Sequence, residues 1–496
     1  MKTTSLDQYL RDVRQSYVVP VTAQLLADQY TPVSLLQRFY TGKPGVFLLE
    51  SVEGGEKWGR YSFLGIEAHA FIEIHEQTVV VRKMYEDNKE FSKQEIAHNG
   101  QPLETLRELM KAYHCVRHDD LPRFFGGLVG YFSYEMASFF EKIPHKLENE
   151  PFANFVIPKT ILILDNVKQT LTICVLTFPN ENKEIPPEKH HQKAVETLNR
   201  IGKELRQVTE MTPLQGYGDI QTSPTLSERD YRRKVEVVKE HIIRGDIIQC
   251  VISQQFVSDT APDAISLYRA LRFANPAPYL FFMHLGETVL AGSSPETMIR
   301  LDGRKATLRP IAGTRRRGAN ERQDRELSDE ILRDAKEKAE HLMLVDLGRN
   351  DLGRVAKTGS VQVTDLMFVE RHPHVMHLVS NITAELEDGL DGFDLFRATF
   401  PAGTLTGAPK IRAMQIIAEQ EDKARGPYGG AAGYISFDGN IDFAITIRTA
   451  RITHGKLIVQ AGGGVVYDSI AESERLETVN KAMGITRALD ILEEIP

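Results

Sequence analysis

Over the first 175 positions the apolar residues come in short runs, at 46–49, 70–74 and 160–164, each bounded by polar or turn-forming residues. Runs of that length predict strands. A helix is predicted mainly at 103–113. After Phe178 the pattern breaks: Pro179, Asn180, Pro186 and Pro187 interrupt structure, a helix bearing lysines and histidines follows, and a polar stretch around Gly216 and Gly218 closes the segment. From Leu226 onward long helices alternate with strands. Ser227 with Asp230 resembles a capping box, Tyr231, Val235, Val238 and Ile242 recur at helical spacing, and Gly245 stops the helix. The pattern divides the chain into an N-terminal portion (1–180), a linker region (181–224) and a C-terminal portion (225–496). It specifies mixed α and β content and leaves open whether the two portions interleave in space.

Two strand predictions carry further weight. Ile441, Phe443, Ile445 and Ile447 alternate onto one face, which puts Arg448 on the other face with Thr446 and Ala444. The stretch from Gly127 to Glu135 also echoes the stretch from Gly430 to Asp438: both begin Gly-x-x-Gly-aromatic and end in an acid. If the echo reflects duplication, the two strands should occupy comparable places in two sheets; simple strand chemistry explains it as well.

At 496 residues the chain exceeds one ordinary core, so two domains or one large composite domain are expected. A net charge of -8 gives no reason to expect nucleic acid or a membrane surface as a partner. Cys115, Cys174 and Cys250 are widely spaced and form no CxxC, which suits buried thiols in a reducing cytoplasm. No apolar leader and no stretch near the ~20 residues that span a bilayer is present, so a cytoplasmic location is expected.

The polar residues of the C-terminal portion supply the candidate chemistry. Glu337 and Glu340 stand three apart on one predicted helix, and Glu474 and Glu477 on another, so each pair shares a helix face. Each pair is either a solvated face or half of a site for a hard divalent cation. Glu296 follows the tight turn Gly292-Ser293-Ser294-Pro295. A buried carboxyl there would be raised in pKa and act as a proton donor; alternatively, it is a helix N-terminal glutamate. The turn Arg315-Arg316-Arg317 reads as solvated. The run from Pro401 to Lys410 reads as a loop opening a helix able to hold an anion, and it lacks the ending of a nucleotide-binding loop. Arg448, followed by a Gly462-Gly463-Gly464 loop, is suited to gripping a carboxylate. Together the acids, the guanidinium and the backbone donors suit a small polycarboxylate bound through Mg2+; Mn2+ would fit the same oxygen ligands, and zinc is disfavoured without Cys/His spacing.

The strings Ile311-Ala312-Gly313-Thr314-Arg315, Ala339 to Asp351, Pro401 to Lys410 and Glu474-x-x-Glu477 resemble the chorismate-utilising enzymes, and within them the anthranilate synthase large components. The resemblance extends from Leu48 to Ala482. It implies an α+β fold of two antiparallel sheets packed as a sandwich with helices outside. It further implies conversion of chorismate and ammonia to anthranilate and pyruvate. Mg2+ would be held by Glu337, Glu340, Glu474 and Glu477, Glu296 would protonate the departing hydroxyl, and His377 would assist proton removal from C2. Gly313, Thr314, Thr404, Lys410, Tyr428, Arg448, Gly462, Gly463 and Gly464 would position the substrate. By the same resemblance, Glu50, Ser51, Pro278, Tyr279 and Leu280 belong to a tryptophan feedback site, in which Ala277 and Leu280 depart from the usual residues; Ile470-Ala471 departs likewise where an Asp-Pro is usual.

Ala312 stands where aminodeoxychorismate synthases carry an attacking lysine, and Gln249 where isochorismate synthases carry a water-activating one. Both argue for ammonia as nucleophile. A catalytically silent tryptophan-binding relative would have lost acids that are all present here. None of the cysteines sits in a Gly-x-Cys-x-Gly elbow, so ammonia is expected from a separate glutaminase chain, in a heterotetramer of two large and two small subunits.

Overall fold

Two long neighbouring strands, Tyr61–Ile74 and Ala153–Asp165, set the architecture in the computed structural model of the chain. The structure describes all residues except 1, 51–58, 85–90, 116–119, 208–211, 217–219, 372–374 and 495–496. The two strands pair antiparallel along their lengths, with three register slips between Gly65 and Ala70. Bulges of this kind bend a pair and increase its twist, and here the bend sends the two halves of the pair into different sheets. One half continues to Phe47–Glu50 on one side and Thr170–Thr177 on the other. The other half continues to Thr78–Met84 and to Gly127–Phe132.

From Phe47–Glu50 the first sheet grows through Tyr279–Leu285, Thr288–Ser294, Thr449–Thr453 and Lys456–Val465 to Gln249–Ser258. From Gly127–Phe132 the second grows through Ala431–Ser436, Ile441–Ile445, Thr297–Asp302 and Lys305–Leu308 to Val375–Glu385, which also pairs with Ile311–Arg316 and Gln362–Arg371. Every one of these pairings is antiparallel.

Side-chain alternation divides the apolar residues between the sandwich interior and its outer faces. In Tyr279–Leu285, Phe281, Met283 and Leu285 join the largest buried cluster, which also takes Val129 and Ile299 from the other sheet. Leu280 and Phe282 point outward to Tyr9, Leu35, Leu36, Leu198 and Ile201 on covering helices. Phe256, Leu457 and Val459 meet Leu267 and Leu271 of Ala264–Ala274 and Ile485 and Leu489 of Ala471–Glu493 in the same way. The observed fold is thus the α+β arrangement of antiparallel sheets with helices outside. No helix among the described residues is long and apolar enough to cross a membrane.

The two echoing strands do not sit in two sheets. Gly127–Phe132 and Ala431–Ser436 pair with each other, Gly130 opposite Gly433. A Cβ on Gly130 would stand 2.0 Å from the Asn154 carbonyl oxygen, and one on Gly433 the same 2.0 Å from that of Asp442. The shared glycine therefore reflects close approach of neighbouring backbones. Pairing of Phe47–Glu50 with Tyr279–Leu285, and of these two strands, also means that both sheets draw on chain before and after 181–224. Within that segment the helix Pro187–Arg206 buries Ala194, Leu198, Ile201 and Leu205 against the first sheet.

Gly130→Ala should lower stability by about 3 kcal/mol or more, the range of severe steric substitutions in a core. A thermal melt that matches the parent chain would contradict the close approach.

Candidate active site

Two neighbouring strands cross from one sheet to the other without ending. Thr288–Ser294 passes into Thr297–Asp302 through Pro295 and Glu296, and Ile441–Ile445 passes into Thr449–Thr453 through 446–448. The crossings satisfy one another's backbone. Ser294 Oγ donates to the Ile445 carbonyl at 2.7 Å, the Ile445 N–H donates to the Glu296 carbonyl at 3.0 Å, and the Ser293 N–H donates to the Arg448 carbonyl at 3.1 Å. Arg448 therefore lies beyond the strand that was expected to hold it, with a left-handed backbone, φ 50°. The alternation of Ile441 to Ile447 runs past the point where the ladder stops.

Glu296 opens no helix; it is buried at the crossing. Thr404 Oγ1 donates to its Oε1 at 3.0 Å. Burial pushes its pKa up to about 8, against the opposing effects of the Thr404 hydrogen bond and the Lys481 charge. At neutral pH this carboxyl is mostly protonated and able to donate. It lines a small cleft with Thr404, Leu344 and Leu347. Pro295, the preceding residue, lines a second and larger cavity of about 700 Å³, to which His377, Arg448 and Pro278 also contribute. The Arg448 guanidinium has no hydrogen-bond or ion-pair partner among the described residues. Burial pulls its pKa down, with Tyr428 opposing.

Gly462, Gly463 and Gly464 form no loop. They belong to the strand Lys456–Val465 and pair with Ser253, Ile252 and Val251. Side chains pack down onto the glycine positions: a Cβ on Gly462 would stand 2.9 Å from Tyr428 Oη, on Gly463 3.0 Å from Glu474 Oε2, and on Gly464 2.7 Å from Gln249 Nε2. The glycines thus provide close approach for three candidate site residues.

The acid pairs face the same region. Asp334 caps the helix Ala335–Gly353 through the N–H groups of Lys336 and Glu337. Glu340 Oε1 accepts a long bond from Gln249 Nε2 at 3.4 Å. Burial raises the Glu340 pKa, reinforced by the charges of Glu337 and, from the other helix, Glu477. Burial and the Glu477 charge raise that of Glu474, whose Oε2 is buried with no hydrogen-bond partner. Arg315 Nη1 holds Glu337 at 3.2 Å and Lys481 Nζ holds Glu477 at 2.7 Å, so the four carboxylates are not drawn together. Among the described residues no three His, Cys, Asp or Glu side chains are gathered as a metal-binding group. Their donor chemistry, mutual repulsion and the unpartnered Glu474 oxygen nonetheless fit a hard dication.

His377 sits in the strand Val375–Glu385 opposite Thr314, its Nδ1 3.2 Å from the carbonyl oxygen of Gly313. Gly313 has φ 58°, and a Cβ there would meet Glu337 Oε2 at 3.0 Å. The Lys410 ammonium pairs with Asp351 at 2.5 Å and donates to the Thr399 carbonyl at 3.1 Å; Asp351 and Thr399 line the same cleft as Glu296.

Among the expected regulatory residues, Glu50 lies opposite Leu280. Its Oε1 accepts from Tyr268 at 2.9 Å and Arg272 at 2.5 Å. Leu280 is core, and the Tyr279 hydroxyl donates to Asp442 Oδ1 at 2.9 Å. Ser51 lies outside the described residues.

Two residues escaped the sequence reading. Arg425, paired with Glu421 at 2.7 Å in the interior, donates to the carbonyls of Leu405 and Val251. It thereby ties the Thr404 loop to the Gln249 strand. Lys481 bridges Glu477 and the Gly462 carbonyl. Both pairs have i,i+4 spacing, a signal too common on helices to single out.

Residues 54–487 match the model of the chorismate binding enzyme family. The chain belongs to this family. Among the family's members, the anthranilate synthase component 1 of Acetivibrio thermocellus is 40% identical over 501 residues, covering 99% of each chain. That of Aquifex aeolicus (strain VF5) is 41% identical, covering 98% of this chain and 97% of its own. The crystal structure of anthranilate synthase component I from Streptococcus pneumoniae TIGR4 superposes with a TM-score of 0.74 at 33% identity, covering 93% of this chain and 99% of that one.

The raised Glu296 pKa couples to stability. The carboxyl ionises near 4.5 in the unfolded chain and about 8 in the folded one, so between these values the unfolded chain binds fewer protons. The folded state loses stability as pH rises through that window. Glu296→Gln should remove this loss: its melting temperature relative to the parent should rise from pH 5 to pH 8 and then level off. A constant difference across that range would contradict a neutral buried Glu296.

Proposed function

We propose that the chain is the chorismate-converting component of an anthranilate synthase, making anthranilate and pyruvate from chorismate and ammonia. The observation that carries the reading is the buried Glu296 carboxyl, protonated at neutral pH and held by Thr404 beside the strand crossing that presents Arg448. A proton is needed where a ring hydroxyl leaves as water, and Glu296 is a donor matched to that task. Ammonia adds at C2 as the C4 hydroxyl departs and the ring double bonds shift. His377 then assists loss of the C2 proton while the C3–oxygen bond breaks, releasing pyruvate and leaving an aromatic ring. Arg448, unpartnered and half-buried, grips a substrate carboxylate. Gly313, Tyr428 and the glycine strand shape the remaining walls.

Glu337, Glu340, Glu474 and Glu477 would hold Mg2+, which when bound takes the ring carboxylate and offsets its charge. For that, Arg315 and Lys481 have to release Glu337 and Glu477. Ala312 and Gln249, each in place of a lysine, favour ammonia over the other family nucleophiles. Glu50 and Pro278 contribute to a tryptophan site in which the effector's ammonium displaces Arg272 from Glu50, and inhibition acts by differential affinity for two conformations. Ammonia comes from a glutaminase chain in a cytoplasmic heterotetramer of two copies of each.

The purified chain given chorismate, Mg2+ and an ammonium salt should form fluorescent anthranilate and pyruvate in equal amounts, and no turnover would sink the proposal. Glu477→Gln should abolish the Mg2+-dependent rate while tryptophan binding stays measurable by calorimetry. Near-normal activity would make the closing helix a solvated face only.

A further inference from the structure

Arg315, Arg316 and Arg317 are consecutive at the end of the strand Ile311–Arg316, so their side chains alternate between its faces. Arg315 meets Glu330, Asp334 and Glu337, and Arg317 meets Asp324. Arg316 turns the other way, is exposed, and lines the cavity of about 700 Å³ that holds His377 and Arg448. On the far wall is the closing helix Ala471–Glu493. There a Cβ on Gly484 would stand 4.0 Å from the Arg448 guanidinium, and Arg487, exposed, lies one turn further along and lines the same cavity. Neither Arg316 nor Arg487 has a hydrogen-bond or ion-pair partner among the described residues. One acid, Asp490, shares the lining. The chain as a whole carries a net charge of -8. A small dianion is therefore repelled by the molecule at large and attracted at this opening, within a Debye length of about 10 Å.

We propose that Arg316 and Arg487 form a capture site for the anionic substrate, two guanidinium groups at the cavity mouth that hold a dicarboxylate by charge before it reaches Arg448. This rests on the reading of the chain as a chorismate-converting enzyme. Both side chains are exposed, and each presents a planar fork suited to a carboxylate. Neither touches the reacting atoms; they act on how much substrate reaches the inner site.

Equilibrium binding of chorismate to the full chain with Mg2+ and without ammonia, followed calorimetrically over a range of NaCl concentrations, tests the proposal. Arg316→Gln and Arg487→Gln should each weaken binding about three- to tenfold at low salt. The gap to the parent should close at high salt, and Arg316→Lys and Arg487→Lys should restore most of the affinity. Melting curves should not change, since both positions are at the surface. If the parent binds chorismate and the double glutamine variant binds it equally with the same salt slope, the capture site is wrong. If the parent does not bind chorismate at all, it is the function proposed above that fails, and the capture site falls with it.

Discussion

A strand that leaves its sheet strands its backbone groups unless something else accepts them. In this protein two neighbouring strands leave together, and each completes the other. The hydrogen bonds among Ser293, Ser294, Glu296, Ile445 and Arg448 replace ladder bonds at the point where the two sheets part. With the backbone accounted for, the side chains of Glu296 and Arg448 at the crossings are not needed to complete it. One is an acid without a charged partner in contact, the other a base without an acid. Both would be costly in an ordinary core, and both are tolerated here because the surrounding ladder over-determines the chain path.

A second layer of constraint holds the surrounding segments to this point. The Arg425–Glu421 pair binds the carbonyls of Leu405 and Val251 and, through Glu421, the N–H and hydroxyl of Ser253. A buried ion pair of this kind contributes little net stability and much geometric definition. It sets the Thr404 loop, and hence the hydrogen bond to Glu296, relative to the strand carrying Gln249. The glycine strand acts on the same neighbours by omission, since its missing Cβ atoms are the space that Tyr428, Glu474 and Gln249 use. Opposing these constraints is the repulsion among Glu337, Glu340, Glu474 and Glu477. Arg315 and Lys481 each pair with one of these acids, Glu337 and Glu477.

Local pattern determined much of this protein. Short apolar runs bounded by polar residues marked strands because they are too short for a buried helix, and the acid pairs were legible because a spacing of three on a helix dictates a shared face. The motif strings carried the family. Glu296 was legible as a candidate because it follows a turn at the end of an apolar strand.

Tertiary structure alone decided the rest, because the deciding contacts join residues far apart in the chain. Burial at the crossing made Glu296 a neutral acid, and the hydrogen bond that opposes this comes from Thr404, more than a hundred positions away. Three successive glycines suggested a loop through their conformational freedom, yet none of Gly462, Gly463 and Gly464 has a positive φ, and their role is set by Tyr428, Glu474 and Gln249 from elsewhere. Arg448 followed an unbroken alternation whose end depended on which sheet its strand had to enter. Lys410 lies in a segment with the composition of an anion-binding loop, and its ion pair with Asp351 could not be read from that composition. Composition and periodicity determine which segments are strands and which faces are apolar; they carry no information on long-range pairing, and in this molecule that pairing sets the surroundings of the candidate site residues.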